Sequence, residues 1–418
     1  MIGPGKAINT SYFRVISPCV LGSPYGATSP LTMNPLTGEK YKQGPDNTLT
    51  PADMARCHAK VLDDLGIDRV HAVIGASVGG IQALEFAAQF PGRVDRLVGL
   101  ACTHHTSPGT VAFRRVQRRA ILADPMCKDG NYMPGVPLEG MKVARELGMT
   151  CYRSREEFDA RFEWNPTGPM HFKTAAFDVE SYMDYQANKF ARVFDPNCYL
   201  LLSKAMDLTN LGRNAQNLAE GTSRVSCDSQ IIGIKQDLLI PIQEQRNPVN
   251  ILQSYGHNAQ LVEVDSKFGH DTIFNAQMQL DVFAPLVREF IEEQLSDILP
   301  QPTTPLKRLF FHGSWLRLPD FPSSDSSPHP NWPRTPWSVL PTAHQVGSET
   351  GSGGMPAPRS GVSSAGCGTH QGDPDLRSTH TEVHHRSLGS RKLPRAPPVR
   401  GARRYPRLDD SHILHPVL

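Results

Sequence analysis

The chain has 418 residues, with 43 Lys and Arg against 41 Asp and Glu and a formal net charge of +2. A balance this even sets up no field that would recruit nucleic acid or an anionic membrane surface as partner, and no apolar run approaches the length that spans a bilayer. The opening Met1-Ile2-Gly3-Pro4-Gly5-Lys6 lacks the apolar core of a signal peptide. The eight cysteines are scattered, none in a C-x-x-C pair, and several lie in apolar surroundings (Cys57, Cys102). They read as reduced, buried thiols of a cytoplasmic protein. The pair His104-His105 has no carboxylate or cysteine at ligand spacing, so no metal site is expected.

In chain order, Tyr12–Ser17 reads as a strand. Thr50-Pro51-Ala52-Asp53 is a helix start, with a Thr cap, a Pro at the first position and an acid in the first turn. Met54, Val61, Leu62 and Leu65 give that helix an apolar face, and Gly66 ends it. Arg69–Ile74 is a short buried strand. It leads into Gly75-Ala76-Ser77-Val78-Gly79, a G-x-S-x-G turn followed by the helix formers Ile81–Ala88. Such an elbow lifts a serine Oγ above a parallel sheet, and the glycines at 75 and 79 are expected to relieve crowding there. Pro91-Gly92 stops the helix, and Leu97–Ala101 is the next strand.

Between about 103 and 226 the pattern becomes helical (Val111–Leu122, Leu138–Leu147, Arg155–Phe162, Val179–Phe194), which reads as a lid inserted into the fold. Strands resume at Ser229–Ile234 and Ala259–Val264, and a closing helix is expected from about Ile273 to Leu295. Alternating strands and helices predict an α/β fold with a doubly wound, mostly parallel sheet, occupying 1–299. Residues 300–418 are rich in Pro, Ser, Gly and Arg and lack periodicity, so they are expected to be a disordered tail. The basic stretch Arg391–Arg404 reads as a solvated part of that tail.

A serine at such an elbow needs a base, and the base an orienting acid, in the chain order Ser, Asp, His. Asp237 follows the Ser229–Ile234 strand and His270 follows the last strand, which makes Ser77, Asp237 and His270 the candidate triad. Asp228 precedes its strand and belongs to the wrong end of the sheet. Asp265 is a second acid, closer to the histidine than the usual placement. The Val78 N–H is the expected oxyanion donor.

Several longer stretches carry a resemblance. They are Ile2-Gly3-Pro4-Gly5-Lys6-Ala7, Leu21–Gly26, Asn34–Gly38, Ala120–Pro125, Glu180–Gln186, Lys189-Phe190 and Phe268-Gly269-His270-Asp271. Over roughly 2–295 the chain resembles the homoserine O-acetyltransferase family of the α/β-hydrolase superfamily, with its serine O-acetyl- and O-succinyltransferase relatives. Val78 stands where that family usually has Met. The resemblance implies acyl transfer from acetyl-CoA through an acyl-Ser77 intermediate to the hydroxyl of homoserine or serine, with acetyl-CoA as co-substrate and no bound cofactor. It further implies that Arg153 binds the substrate carboxylate and Asp271 the substrate amino group. A homodimer is the assembly it allows.

Family members carry a segment upstream of the Ile-Gly-Pro-Gly motif, with three strands and the loop that donates the second oxyanion N–H. An N-terminally incomplete form is therefore expected here, its sheet lacking those strands and its site one oxyanion donor. A presequence in that segment would make the compartment mitochondrial. An esterase of the same fold and a catalytically impaired fragment stand as the alternative functions.

Overall fold

The computed structural model describes residues 1–41, 48–171 and 175–293. The proposed tail from 300 onward, its basic stretch and the last residues of the expected closing helix lie outside the described residues.

Helix α1 (Pro51–Asp64) starts as its sequence predicts. Thr50 Oγ1 accepts the Asp53 N–H at 3.2 Å while the Asp53 carboxylate accepts the Thr50 N–H at 2.9 Å, closing a reciprocal capping box. Gly66, at φ 66°, ends it. Met54 and Leu62 are buried, but Leu65 is 45% exposed because it is the C-cap residue, past the last turn that packs.

The elements then run β1 (Val70–Ala76), α2 (Val78–Gln89), β2 (Val94–Leu100) and six helices: α3 (Pro108–Ala123), α4 (Glu139–Tyr152), α5 (Arg155–Arg161), α6 (Asp178–Ala191), α7 (Pro196–Asp207) and α8 (Leu218–Ser223). After them come β3 (Asp228–Ile234), α9 (Ile242–Ser254) and β4 (Ala259–Val264). Among the described residues the four strands form one parallel sheet in the order β1-β2-β3-β4. Alternate residues serve opposite faces, as the strand period requires. Leu97 and Ile231 join a core with Ala55, Leu84 and Leu252 from α1, α2 and α9. Val98 and Ile232 join another with Val287 and Ile291. All three triad candidates follow the C-terminal ends of strands, where open α/β sheets place their sites.

Two expected elements differ. Tyr12–Ser17 is turn and irregular chain rather than a strand. A strand needs a ladder partner, and β1 pairs only with β2 among the described residues. Phe13 instead stacks on His71 of β1, ring centroids 5.5 Å apart. The expected closing helix is broken. A 3₁₀ turn, Gly269–Phe274, is followed by Asn275, whose side chain accepts the Met278 N–H at 3.0 Å. That cap starts a second run made of α10 (Ala276–Met278), a π turn (Gln279–Phe283) and α11 (Ala284–Glu292).

The end of α11 is fastened to the sheet through carbonyls that have no partner within the helix. Arg96 of β2, 1% exposed, donates from Nη1 to Phe290 O at 2.7 Å, and His71 Nε2–H donates to Ile291 O at 2.7 Å. The Arg96 guanidinium also lies over the Phe290 ring, 5.2 Å from its centroid. Replacing it by Met (R96M) strands the Phe290 carbonyl. We expect unfolding free energy to fall by about 1–3 kcal/mol, read as an earlier denaturant midpoint.

Candidate active site

Ser77 occupies a backbone conformation that L-residues seldom adopt, φ 51° and ψ −121°. Strain of that kind costs on the order of 1–3 kcal/mol and persists where neighbours enforce it. Here the Ser77 N–H donates to Leu100 O of β2 at 2.8 Å, and Ser77 O accepts the Ile81 N–H at 3.0 Å. A Cβ on Gly75 would come within 2.2 Å of Gly79 C and O, so the turn admits no side chain there. Gly79 is different from expectation, since a Cβ at 79 meets nothing within 4 Å. The tight position is Gly80, where a Cβ would lie 2.6 Å from Cys102 Cβ. Cys102 fills the space beneath the elbow, and burial pushes its thiol up to about 12, which suits packing rather than reaction.

The three candidate side chains converge. His270 Nε2 lies 2.9 Å from Ser77 Oγ, and His270 Nδ1 lies 2.6 Å from Asp237 Oδ2. Exposures of 7% for Ser77, 3% for Asp237 and 0% for His270 shut bulk water out of the relay. Asp237 Oδ1 accepts the N–H groups of Leu239 and Ile240 at 2.8 and 2.9 Å, which leaves Oδ2 facing the imidazole. Burial disfavours the imidazolium, but the adjacent Asp237 carboxylate outweighs it, and the His270 pKa is raised. With Nδ1–H donated to the carboxylate, Nε2 is the lone pair that takes the Ser77 proton.

The rival acids are occupied elsewhere. Asp228 is the first residue of β3, at the far end of the sheet, 3.8 Å from Arg96. Asp265 pairs with Lys235 at 3.6 Å and accepts from Gln236 Nε2 at 2.8 Å. The His104 ring, also buried, bonds Thr222 Oγ1 through Nδ1 at 2.8 Å. Val78, first residue of α2, has no carbonyl within its helix for its N–H, which suits an oxyanion donor beside Ser77.

The two proposed substrate-binding residues meet each other. Arg153, at the end of α4, places Nε 3.2 Å from Asp271 Oδ2 and donates from Nη1 to Glu157 Oε1 at 2.9 Å. The α4–α5 joint bears directly on the histidine loop. Ser154 Oγ donates to Lys267 O, and a Cβ on Gly269 (φ 62°) would come within 2.8 Å of Ser154 N. Tyr152 sits 6.3 Å, ring to ring, from His270.

Three residues escaped the sequence. Gln245, 0% exposed, donates from Nε2 to Ile240 O at 2.6 Å and to Asp237 Oδ2 at 3.4 Å, while its Oε1 accepts the Ile234 N–H at 3.2 Å. Glu157 holds Arg153. Arg114, 3% exposed on α3, lies 3.6 Å from Asp207, and its Nε and Nη1 make no hydrogen bond. A Gln, Glu or Arg inside a helix reads as part of a solvated face until packing is known, so the sequence offered no signal for these three.

The sequence pattern of the α/β hydrolase fold matches residues 6–277. Over 299 residues the chain is 41% identical to homoserine O-acetyltransferase of Symbiobacterium thermophilum, spanning 70% of this chain and 76% of that one. It is 39% identical to serine O-succinyltransferase of Litchfieldella anticariensis, spanning 70% and 80%. Among solved structures, homoserine O-acetyltransferase from Bacillus anthracis superposes with a TM-score of 0.63 at 28% identity, over 69% of this chain and 79% of that one. Esterase E22 superposes with a TM-score of 0.63 at 27% identity, over 69% and 81%.

The site's electrostatics make a pH signature. Because His270 works neutral and its pKa is raised, hydrolysis of an activated acyl ester should fall as pH drops through a value above the ordinary one for histidine. Asp237→Asn should lower kcat by roughly 10⁴, the scale seen for the same change in a serine protease triad. It should also move the acid limb of kcat/KM to lower pH. A limb that stays in place would show that Asp237 is not the partner charge.

Proposed function

We propose that this chain, which belongs to the homoserine O-acetyltransferase family of the α/β-hydrolase fold, moves an acetyl group from acetyl-CoA to the hydroxyl of homoserine or serine. It is an O-acyltransferase. The observation that carries the choice of acceptor is the Arg153–Asp271 ion pair at 3.2 Å, with Asp271 directly after the catalytic base. A cation and an anion at that spacing mirror the carboxylate and ammonium of a zwitterionic α-amino acid. A guanidinium suits the carboxylate because its N–H groups match it in pairs.

The steps follow from the triad. Ser77 Oγ attacks the thioester carbonyl as His270 Nε2 takes its proton, and the tetrahedral oxyanion leans on the Val78 N–H. The C–S bond breaks, the CoA sulfur leaves with the proton from His270, and the acyl group remains as an ester on Ser77. The amino-acid hydroxyl then gives its proton to His270 and attacks that ester. The new O-acyl bond forms, the bond to Ser77 breaks, and the proton returns to Ser77 Oγ. Water competes for the same ester, so an acceptor fixed at both charged ends gains by orientation. Such a product belongs to methionine or cysteine biosynthesis, and we propose a cytoplasmic setting and a homodimer. No described helix is long and apolar enough to cross a membrane.

A thiol-release assay with acetyl-CoA against homoserine and serine, with products identified by mass, tests the reading. Release should depend on the amino acid and yield its O-acetyl ester. Arg153→Ala should raise the acceptor KM by about tenfold or more while leaving hydrolysis of a simple acyl ester within twofold. Release that ignores the amino acid favours an esterase, and failure to acylate Ser77 at all favours the impaired form.

One observation favours a second donor. Asp207 faces two guanidiniums, Arg114 at 3.6 Å and Arg118 at 2.5 Å, all three side chains under 10% exposed, which leaves a buried excess of one positive charge. Thr110, one turn before Arg114 on α3, donates to Leu239 O beside the triad acid at 3.1 Å. A carboxylate-bearing acyl group such as succinyl would complement that charge. On this reading Arg114→Gln lowers kcat/KM for succinyl-CoA at least tenfold and spares acetyl-CoA. An equal change for both donors removes the reading.

A further inference from the structure

Arg153 is gripped from two sides by carboxylates of very different character. Asp271, on Nε, has a side chain as exposed as the arginine itself, 22% against 23%. Glu157, on Nη1, has a side chain only 7% exposed. It is fixed from behind. Its N–H is capped by Ser154 Oγ at 3.1 Å, and that hydroxyl donates in turn to Lys267 O of the histidine loop. Its second oxygen, Oε2, is buried with no hydrogen-bond partner. The Tyr182 ring lies against the same group, 5.7 Å from the Arg153 guanidinium carbon and 4.2 Å from that of Arg161. Arg161 Nη1 in turn lies 3.7 Å from Glu157 Oε1.

A zwitterion that puts its carboxylate on Arg153 Nε and its ammonium on Asp271 Oδ2 parts those two groups. The arginine then loses one of its two anchors as the ligand arrives. Glu157 cannot follow Asp271, because it is buried and capped. We infer that Glu157 is a positioning residue for acceptor binding. It holds Nη1 in every state, so that Nη2 and the freed Nε are presented to the α-carboxylate in one orientation. Charge supports the exchange. Arg153 and Arg161 balance Glu157 and Asp271, and a zwitterion adds no net charge, so the swap leaves no buried ion uncompensated. The inference rests on the amino-acid acceptor proposed above.

The test is Glu157→Gln in the full chain, with two readouts on one sample. Gln keeps the size of the side chain and leaves the Ser154 cap on the backbone N–H. Acceptor KM should rise about tenfold, the scale of a lost charge-assisted hydrogen bond, with kcat at saturating acceptor within twofold. Acylation of Ser77 by the donor alone, followed by mass of the Ser77 peptide, should keep its wild-type rate. Glu157→Asp, which restores the charge, should recover part of the KM. An unchanged KM in Glu157→Gln overturns the inference, and so does a parallel loss of acylation, which would mean a merely structural role. A wild-type chain whose thiol release never saturates with any amino acid overturns the acceptor reading itself and this inference with it. A saturating wild type with an indifferent variant overturns only this one.

Discussion

The site depends on a hydrogen bond of 2.6 Å between His270 Nδ1 and Asp237 Oδ2, out of contact with solvent. A buried carboxylate is tolerable only when its lone pairs are occupied. Asp237 meets that demand with two backbone N–H groups, a Gln245 amide and the imidazole. The surrounding structure keeps those donors in register. Gln236 Oε1 accepts the Ser266 N–H at 2.8 Å, Lys235 N–H donates to Val264 O at 3.0 Å, and Thr272 Oγ1 donates to Ser266 Oγ at 2.9 Å. The loop with the acid and the loop with the base are thus stitched together by polar contacts independent of the triad. Parallel pairing of β3 with β4 brings both loops to the same edge of the sheet.

The helical region between β2 and β3 is tied to the same loops. Cys151 and Tyr152 at the end of α4 pack with Leu239 and Ile240 of the acid loop in one apolar cluster. The Gly269 turn admits Ser154 only because it has no side chain. Anything that shifts the α4–α5 joint therefore moves the catalytic base and Arg153 together. The histidine beside Ser77 and the proposed acceptor-binding Arg153 share one mechanical support.

Much of this was legible in the sequence, for reasons that are local. The capping box at Thr50 and the elbow at Ser77 are short-range geometries that few residue types can form. The order Ser77, Asp237, His270 follows from where strand ends fall in a wound sheet. Legibility stopped where partners decide. Tyr12–Ser17 has the composition of a strand but pairs with no strand among the described residues. Gly79 and Gly80 are indistinguishable as letters, and only the approach of Cys102 marks the second as the crowded one. Gln245, Glu157 and Arg114 sit in helices where a polar residue ordinarily faces water. Their partners Arg153, Asp237 and Asp207 lie 4, 8 and 93 positions away, and it is the packing of those segments that buries them.

Charge is arranged differently in the Arg153 cluster and in the Asp207 cluster. Around Arg153 the cations and anions cancel, a balance that the proposed zwitterionic acceptor would preserve. On the side of α3, Arg114 and Arg118 outnumber Asp207 beneath the surface. Desolvated charge is costly unless it is matched, so on the proposed function the first cluster would select by the separation of charges and the second by their excess. The proposed zwitterionic acceptor would satisfy the first without disturbing the second. On the second donor reading, a carboxylate-bearing acyl group would gain at the Asp207 cluster what an acetyl methyl leaves unused. On these proposals acceptor and donor preference would vary separately on an unchanged triad, the pattern expected of a fold whose relatives include both an acetyl- and a succinyltransferase.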